Sequence, residues 1–203
     1  MAQIETDPSQ PIRRGRGRRP AAEVREQVLA AAGELLLTEG MAGFTIEKVA
    51  ARAGASRMTI YKWWPSRGAL ALDGYATKVR TVLEFPDTGN IEADLTAQVL
   101  AFTRLLTETG AGKVIAELIG ASQTDPELAS AFRERYSAPR RALAVERMNK
   151  AIEQGQLWED VDPQVVVDQL WGACYHRLLI PDEPITEEFA KALVHNVLIG
   201  IKR

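Results

Sequence analysis

The 203-residue chain predicts an all-α fold: an N-terminal three-helix domain built around a helix-turn-helix, followed by a larger C-terminal helical domain. Three observations carry that prediction. Apolar residues recur at the spacing of a helix face, as in Val24, Val28, Ala31 and Leu35. No strand-like alternation or repeat period is visible in the sequence. Glycine and proline cut the chain into helix-length pieces, and one cut, at Gly54, joins two short helical patterns.

Composition narrows the function classes. Hydrophobic residues make up 46% of the chain, enough for a sizeable core. Cys174 has no partner for a disulfide, the opening residues are polar and then basic, and no apolar run approaches the ~18 residues of a membrane span. A cytoplasmic setting without a membrane partner is therefore expected. The net charge of −2 hides an asymmetry. Residues 13–67 carry eleven Lys plus Arg against five Glu, whereas residues 85–203 carry twelve against eighteen acids. A basic end on an acidic remainder is the footprint of contact with phosphates.

Taken in order, residues 1–19 read as a disordered basic arm. Pro8 and Pro11 precede Arg13-Arg14-Gly15-Arg16-Gly17-Arg18-Arg19-Pro20, an arginine–glycine segment suited to a minor groove or to phosphate contacts alone. The domain over 20–84 begins with a helix from about Ala21 to Glu39, stopped by Gly40. Thr45 is an N-cap, and Val49, Ala50 and Ala53 give the next helix an inward face. Gly54 can take the left-handed conformation that ends it, and Ser56 caps a short second arm sealed by Ile60 and by Trp63 or Trp64. That leaves Arg57, Met58, Thr59, Tyr61 and Lys62 for the outer face, as a major-groove helix requires. Pro65 stops the arm, and Ser66 caps a fourth helix from about Arg67 to Glu84, with Arg67 in its first turn, where only a nearby anion offsets the helix dipole.

The segment 85–90 is a turn-rich hinge. Beyond it lie five predicted helices, at about 91–109, 112–123, 126–154, 163–180 and 186–201, with Pro139 kinking or splitting the third. The helix at 163–180 is apolar nearly all round, and the last presents Val194, Val197, Leu198 and Ile201. Leu170, Ala173, Leu178, Val194, Val197, Leu198 and Ile201 are the residues expected at a two-fold four-helix bundle between two copies. The competing reading is a core helix of a monomer.

Around the glycine corner the sequence resembles the tetracycline-repressor (TetR/AcrR) family of bacterial transcriptional regulators. The resemblance rests on Phe44-Thr45-Ile46, Val49-Ala50, Ala53-Gly54-Ala55-Ser56, Thr59-Ile60-Tyr61 and Trp64-Pro65-Ser66-Arg67, with Leu70 beyond, and covers about residues 20–80. Lys62-Trp63-Trp64 departs from the family's usual aromatic, His or Tyr, then Phe. Asp125-Pro126-Glu127-Leu128, Phe132-Arg133-Glu134-Arg135 and Pro139-Arg140-Arg141 resemble one subgroup's C-terminal domain. The resemblance implies a homodimeric regulator, most often a repressor, reading palindromic double-stranded operator DNA and released by a small-molecule effector. Arg57, Thr59, Tyr61 and Lys62 are then expected at bases and phosphates, with Ser56 at the start of their helix. Thr45, Trp63 and Arg67 are expected to hold the backbone, and Arg16, Arg18 and Arg19 to grip from the arm.

The residues 85–203 are accordingly read as a ligand-binding and dimerisation domain. Phe102, Leu106, Ile115, Leu118, Met148, Trp171 and Tyr175 are candidates for a cavity lining, with His176 and Gln169 as polar handles. No cofactor, metal or catalytic role is expected. His176 and His195 are far apart in sequence, Cys174 lacks a ligand at metal spacing, and no phosphate loop follows a strand. An enzymatic or purely ligand-binding bundle, and a sequence-blind architectural DNA binder, are the alternatives.

Overall fold

The computed structural model describes residues 19–202, apart from the side chain of Thr81; Arg16 and Arg18 of the expected arm lie outside the described residues. The fold is all-α, as the spacing predicts. Helix α1 (Ala21–Gly43) supplies the long wall of the N-terminal domain, α2 (Ile46–Ala53) packs across it, and α3 (Arg57–Trp63) packs on α2. Helix α4 (Arg67–Val79) runs from that domain into the C-terminal one, followed by a 3-10 turn (Thr81–Leu83). The C-terminal domain comprises α5 (Ile91–Glu108), α6 (Ala111–Ser122), α7 (Pro126–Phe132), a π-helical turn (Arg133–Ser137), α8 (Ala138–Glu153), α9 (Pro163–Leu179) and α10 (Glu187–Ile201). Among the described residues no helix is long and apolar enough to cross a membrane.

The helix starts follow the capping residues. Side-chain oxygens of Thr45, Ser56, Ser66, Asn90, Asp125, Asp162 and Thr186 each accept a first-turn amide. Three boundaries differ from the sequence expectation. The first helix does break at Gly40, which has φ 66° and ψ −176°, but resumes for one turn to Gly43. The amide of Met41 is taken there by Glu117 of α6 at 2.9 Å, a partner invisible in local sequence. Helix α4 ends at Val79, five residues early, because the chain tightens so that Leu83 can bury. The long segment over 126–154 is split at residues 133–137. Pro139 has no N–H to continue the ladder, and the chain ahead of it widens into the π turn before α8 begins.

Helices α1 and α4 approach closely through small residues. A Cβ at Gly74 would stand 2.8 Å from the Ala32 methyl, and one at Gly33 would stand 2.9 Å from the Gly74 carbonyl oxygen. The domains are joined where Gly110, at the start of α6, lies against α1: a Cβ there would collide with the Leu37 carbonyl oxygen. Tyr75 of α4 meets Tyr136 of the π turn, ring centroids 5.5 Å apart. The loop after α4 is anchored by a buried ion pair. Asp94, fully enclosed, accepts Arg147 Nε at 2.7 Å and the Thr88 hydroxyl and amide at 2.6 and 3.1 Å.

The expected dimer residues divide. Leu170, Val194 and Leu198 are buried in the chain's own core, which removes them from any surface. Ala173, Leu178, Val197 and Ile201 are only half-buried. Helix α9 is apolar all round for two reasons: one side faces the core, and the other exposes Val165, Gly172 and Leu179.

Candidate functional site

The corner between α2 and α3 is closed by the backbone. Gly54 takes φ 59° and ψ 37°, and the amide of Ala55 then reaches back to the Ala50 carbonyl at 3.0 Å. Ala50 and Ala53 are buried beneath the corner, so the two helices can cross without being forced apart. The Ser56 hydroxyl accepts the Thr59 amide at 3.1 Å and starts α3 in register. Ile60 and Trp64 are both fully enclosed, and Trp64 Nε1 donates to Asp73 of α4 at 2.8 Å. The backing tryptophan is thus Trp64. Trp63 lies at the edge, half-buried and edge-on to it at 5.6 Å.

With that side held, α3 turns its other side outward. Met58 is 72% exposed, Tyr61 is 48% exposed, and Arg57 and Lys62 are exposed beside them, while Thr59 is half-covered. Arg57 reaches back to Glu47 of α2 at 3.0 Å, an exposed pair that competes with any anion brought to this face. The Glu47 carboxyl lies below its ordinary pKa, first through its own backbone hydrogen bond and then through Arg57. Arg67 opens α4 nearby, exposed, with Nη1 3.5 Å from the Phe44 carbonyl. Thr45 is half-buried, and its hydroxyl is used as a cap by the Lys48 amide.

Arg19 departs from its expected place as a free member of the arm. Its guanidinium donates to Gln27 of α1 and to the Gly54 carbonyl, so it straps the start of the folded chain to the corner. Gln27 is itself held by donating to Glu23 at 3.0 Å.

A second feature lies in the C-terminal domain, a cavity of about 370 Å³ among α5, the π turn, α8 and α9. Phe102, Trp171 and Tyr175, among the expected lining residues, do face it. Leu106, Ile115, Leu118 and Met148 do not: all are buried in the core, and Leu106, Ile115 and Met148 lie one turn along their helices from the lining residues Phe102, Ile119 and Ala144. His176 and Gln169 point the other way and are exposed on the outer side of α9. Much of the wall was not legible beforehand. Phe85 from the interdomain loop pairs with Trp171 at 6.3 Å, and Gln98 of α5 is fixed by donating to the Leu83 carbonyl at 3.2 Å. Phe132 arrives from the end of α7, and Tyr136, Arg140 and Arg141 with the π turn and the start of α8. The signals for them were Pro139 and the subgroup resemblance of Phe132 and Arg140-Arg141, neither of which places them at a cavity. Burial raises the Tyr175 phenol well above its ordinary pKa and pushes the Cys174 thiol up to about 12, leaving both neutral. Among the described residues no group of His, Cys, Asp and Glu could hold a metal ion.

Comparison with known proteins matches both parts of the chain. Residues 28–73 match the model of bacterial regulatory proteins of the tetR family, and residues 85–197 match a tetracyclin repressor-like C-terminal domain. The HTH-type transcriptional regulator YdeS of Bacillus subtilis (strain 168) is 36% identical over 187 residues, 92% of this chain and 94% of that protein. The DNA-binding transcriptional repressor TetR of Mycobacteroides abscessus is 30% identical over 179 residues, 87% and 92% respectively. The crystal structure of the TetR family transcription regulator SCO0332 superposes with a TM-score of 0.84 at 60% identity, covering 89% of this chain and all of that one.

Proposed function

This chain belongs to the tetR family of bacterial regulatory proteins, and we propose that it acts as a homodimeric repressor that reads a palindromic operator and lets go when a small molecule enters the cavity. The observation that carries the reading is the one-sided burial of α3. Ile60 and Trp64 are fully enclosed while Arg57, Met58, Tyr61 and Lys62 stand outward on a helix too short to serve any other packing purpose. In this reading those residues and Thr59 meet base edges and phosphates, and Ser56 fixes their register. Arg67, Thr45 and Trp63 flank the phosphate backbone, with Arg16 and Arg18 reaching from the arm. Arg19 keeps the arm's root at the corner.

The exposed side of α9 and α10 supplies the dimer contact. Val165, Gly172 and Leu179 on α9 and Ala192 and Ile199 on α10 recur at helical spacing, and Ile199 is 70% exposed. A Cβ at Gly172 would meet nothing within 4 Å, and Gly172 and Leu179 also border the cavity, so the stripe runs along the cavity's edge. Two copies joined there about a two-fold axis display two α3 helices to one duplex.

Release follows from differential affinity: a ligand shifts the population toward whichever arrangement of heads holds it better. The cavity is coupled to the heads through Tyr136, which lines it and packs on Tyr75 of α4. The test is a gel shift on DNA recovered with the protein from cells. Tyr61→Ala combined with Lys62→Ala is expected to abolish the specific band with no change in thermal melting. Undiminished binding would refute the assigned face.

A further inference from the structure

The cavity wall carries one charge that the protein does not answer. The arginines around it are matched: Arg141 by Asp168 and Gln164, Arg135 by Asp73, and Arg147 by Asp94. Arg140 makes no ion pair among the described residues. Its guanidinium lies half-buried over the ring of Tyr136, 5.3 Å from the centroid. Among the described residues Asp168 is the only carboxylate on the same wall, and it is committed to Arg141. Tyr136, whose ring forms part of the wall, is 3% exposed, and its hydroxyl is enclosed close to those of Tyr75 and Tyr175.

The remaining wall is aromatic and aliphatic, with Phe85, Phe102 and Trp171 giving flat apolar faces. We propose that the cavity takes an organic acid, a compact aromatic or alkyl body carrying one carboxylate, with the carboxylate on Arg140 and the body against Phe102 and Trp171. The inference rests on reading this cavity as the effector site.

Charge selects among the ligand classes. A cation would meet Arg140 with no free carboxylate to offset the repulsion. A neutral apolar molecule would strip water from Arg140 and return nothing for it. A carboxylate replaces that water with a charge-assisted hydrogen bond. The volume of about 370 Å³ lies toward the small end of drug-sized pockets, which favours a body of two rings or a medium chain over a long acyl group.

The test compares biphenyl-4-carboxylate with biphenyl-4-carboxamide, two molecules of one shape that differ in charge, by isothermal titration calorimetry on the full chain. The acid is expected to bind the wild-type protein at least about tenfold more tightly than the amide, as one charge-assisted contact allows. Arg140→Gln is expected to bring the ratio near one, and Arg140→Lys to restore part of it. Equal affinities, a tighter amide, or no binding of either compound at millimolar concentration overturns the proposal. So does an undiminished ratio in a folded Arg140→Gln protein. The wild-type comparison holds even if that variant does not fold. Release of bound DNA is read separately. Acid binding without release would leave the anion site standing and remove the effector role, whereas release by the amide alone would do the reverse.

Discussion

Single residues set the two features on which function depends, and they do so through opposite uses of polarity. On α3 the polar groups are outward and free to change partners; Arg57 gives up only an exposed, screened contact when it leaves Glu47. Around Asp94 they are enclosed and committed. That carboxylate is desolvated, which alone would raise its pKa, but the hydrogen bonds from Thr88 and Arg147 outweigh the burial and hold it below the usual value. A depressed folded-state pKa stabilises the fold above the unfolded value near ~4, and that contribution is lost as pH falls through the folded one. Asp94→Asn should therefore destabilise the protein by about 3 kcal/mol at neutral pH, because it leaves the buried Arg147 with only the half-exposed Asp87, 3.5 Å away. Denaturant midpoints measured from pH 7 down to pH 3 check this, and the gap between wild type and variant should shrink toward the acid end.

At the scale of elements, glycines decide how closely helices approach, and the same residue type has opposite effects at different places. Gly74 sits in the α1–α4 crossing, where an added methyl would stand 2.8 Å from Ala32. Gly120 in α6 would meet nothing within 4 Å. Gly74→Ala is expected to cost about 1–3 kcal/mol through overpacking. Gly120→Ala should stabilise by up to about 1 kcal/mol through the backbone entropy it removes from the unfolded chain. Melting temperatures of the two variants should shift in opposite directions. The caps belong to this scale too, and they were readable: Thr45, Ser56 and Ser66 each start the helix their sequence position predicts. The π turn was not. Pro139 announced an interruption, but how the chain accommodates it depends on the packing of Tyr136 against Tyr75 and Phe132.

For the molecule as a whole, the exposed apolar stripe on α9 and α10 is the feature a single copy leaves uncovered. Ile199→Glu places a charge in it and should convert a dimer at micromolar concentration to a monomer by sedimentation. Specific DNA affinity should fall by a factor on the order of a hundred, since two linked heads lose their joint grip. A dimer that survives the change would place the contact elsewhere. Because Ile199 touches little of the chain's own core, the monomer should keep its helical content.

By itself the sequence determined the all-α class, the glycine corner, the caps and the outward set Arg57, Tyr61 and Lys62. All of these are local, fixed by conformational preference and by spacing within one or two turns. Only the tertiary structure decided which tryptophan backs α3, which side of α9 faces the core, and which residues enclose the cavity. Leu106 and Phe102 are one turn apart on the same face of α5 and equally apolar, yet only Phe102 reaches the cavity, because where the cavity stops along that face is set by the helices packed around α5. Hydrophobicity says that a side chain will be buried; against what it is buried depends on elements far away in the chain.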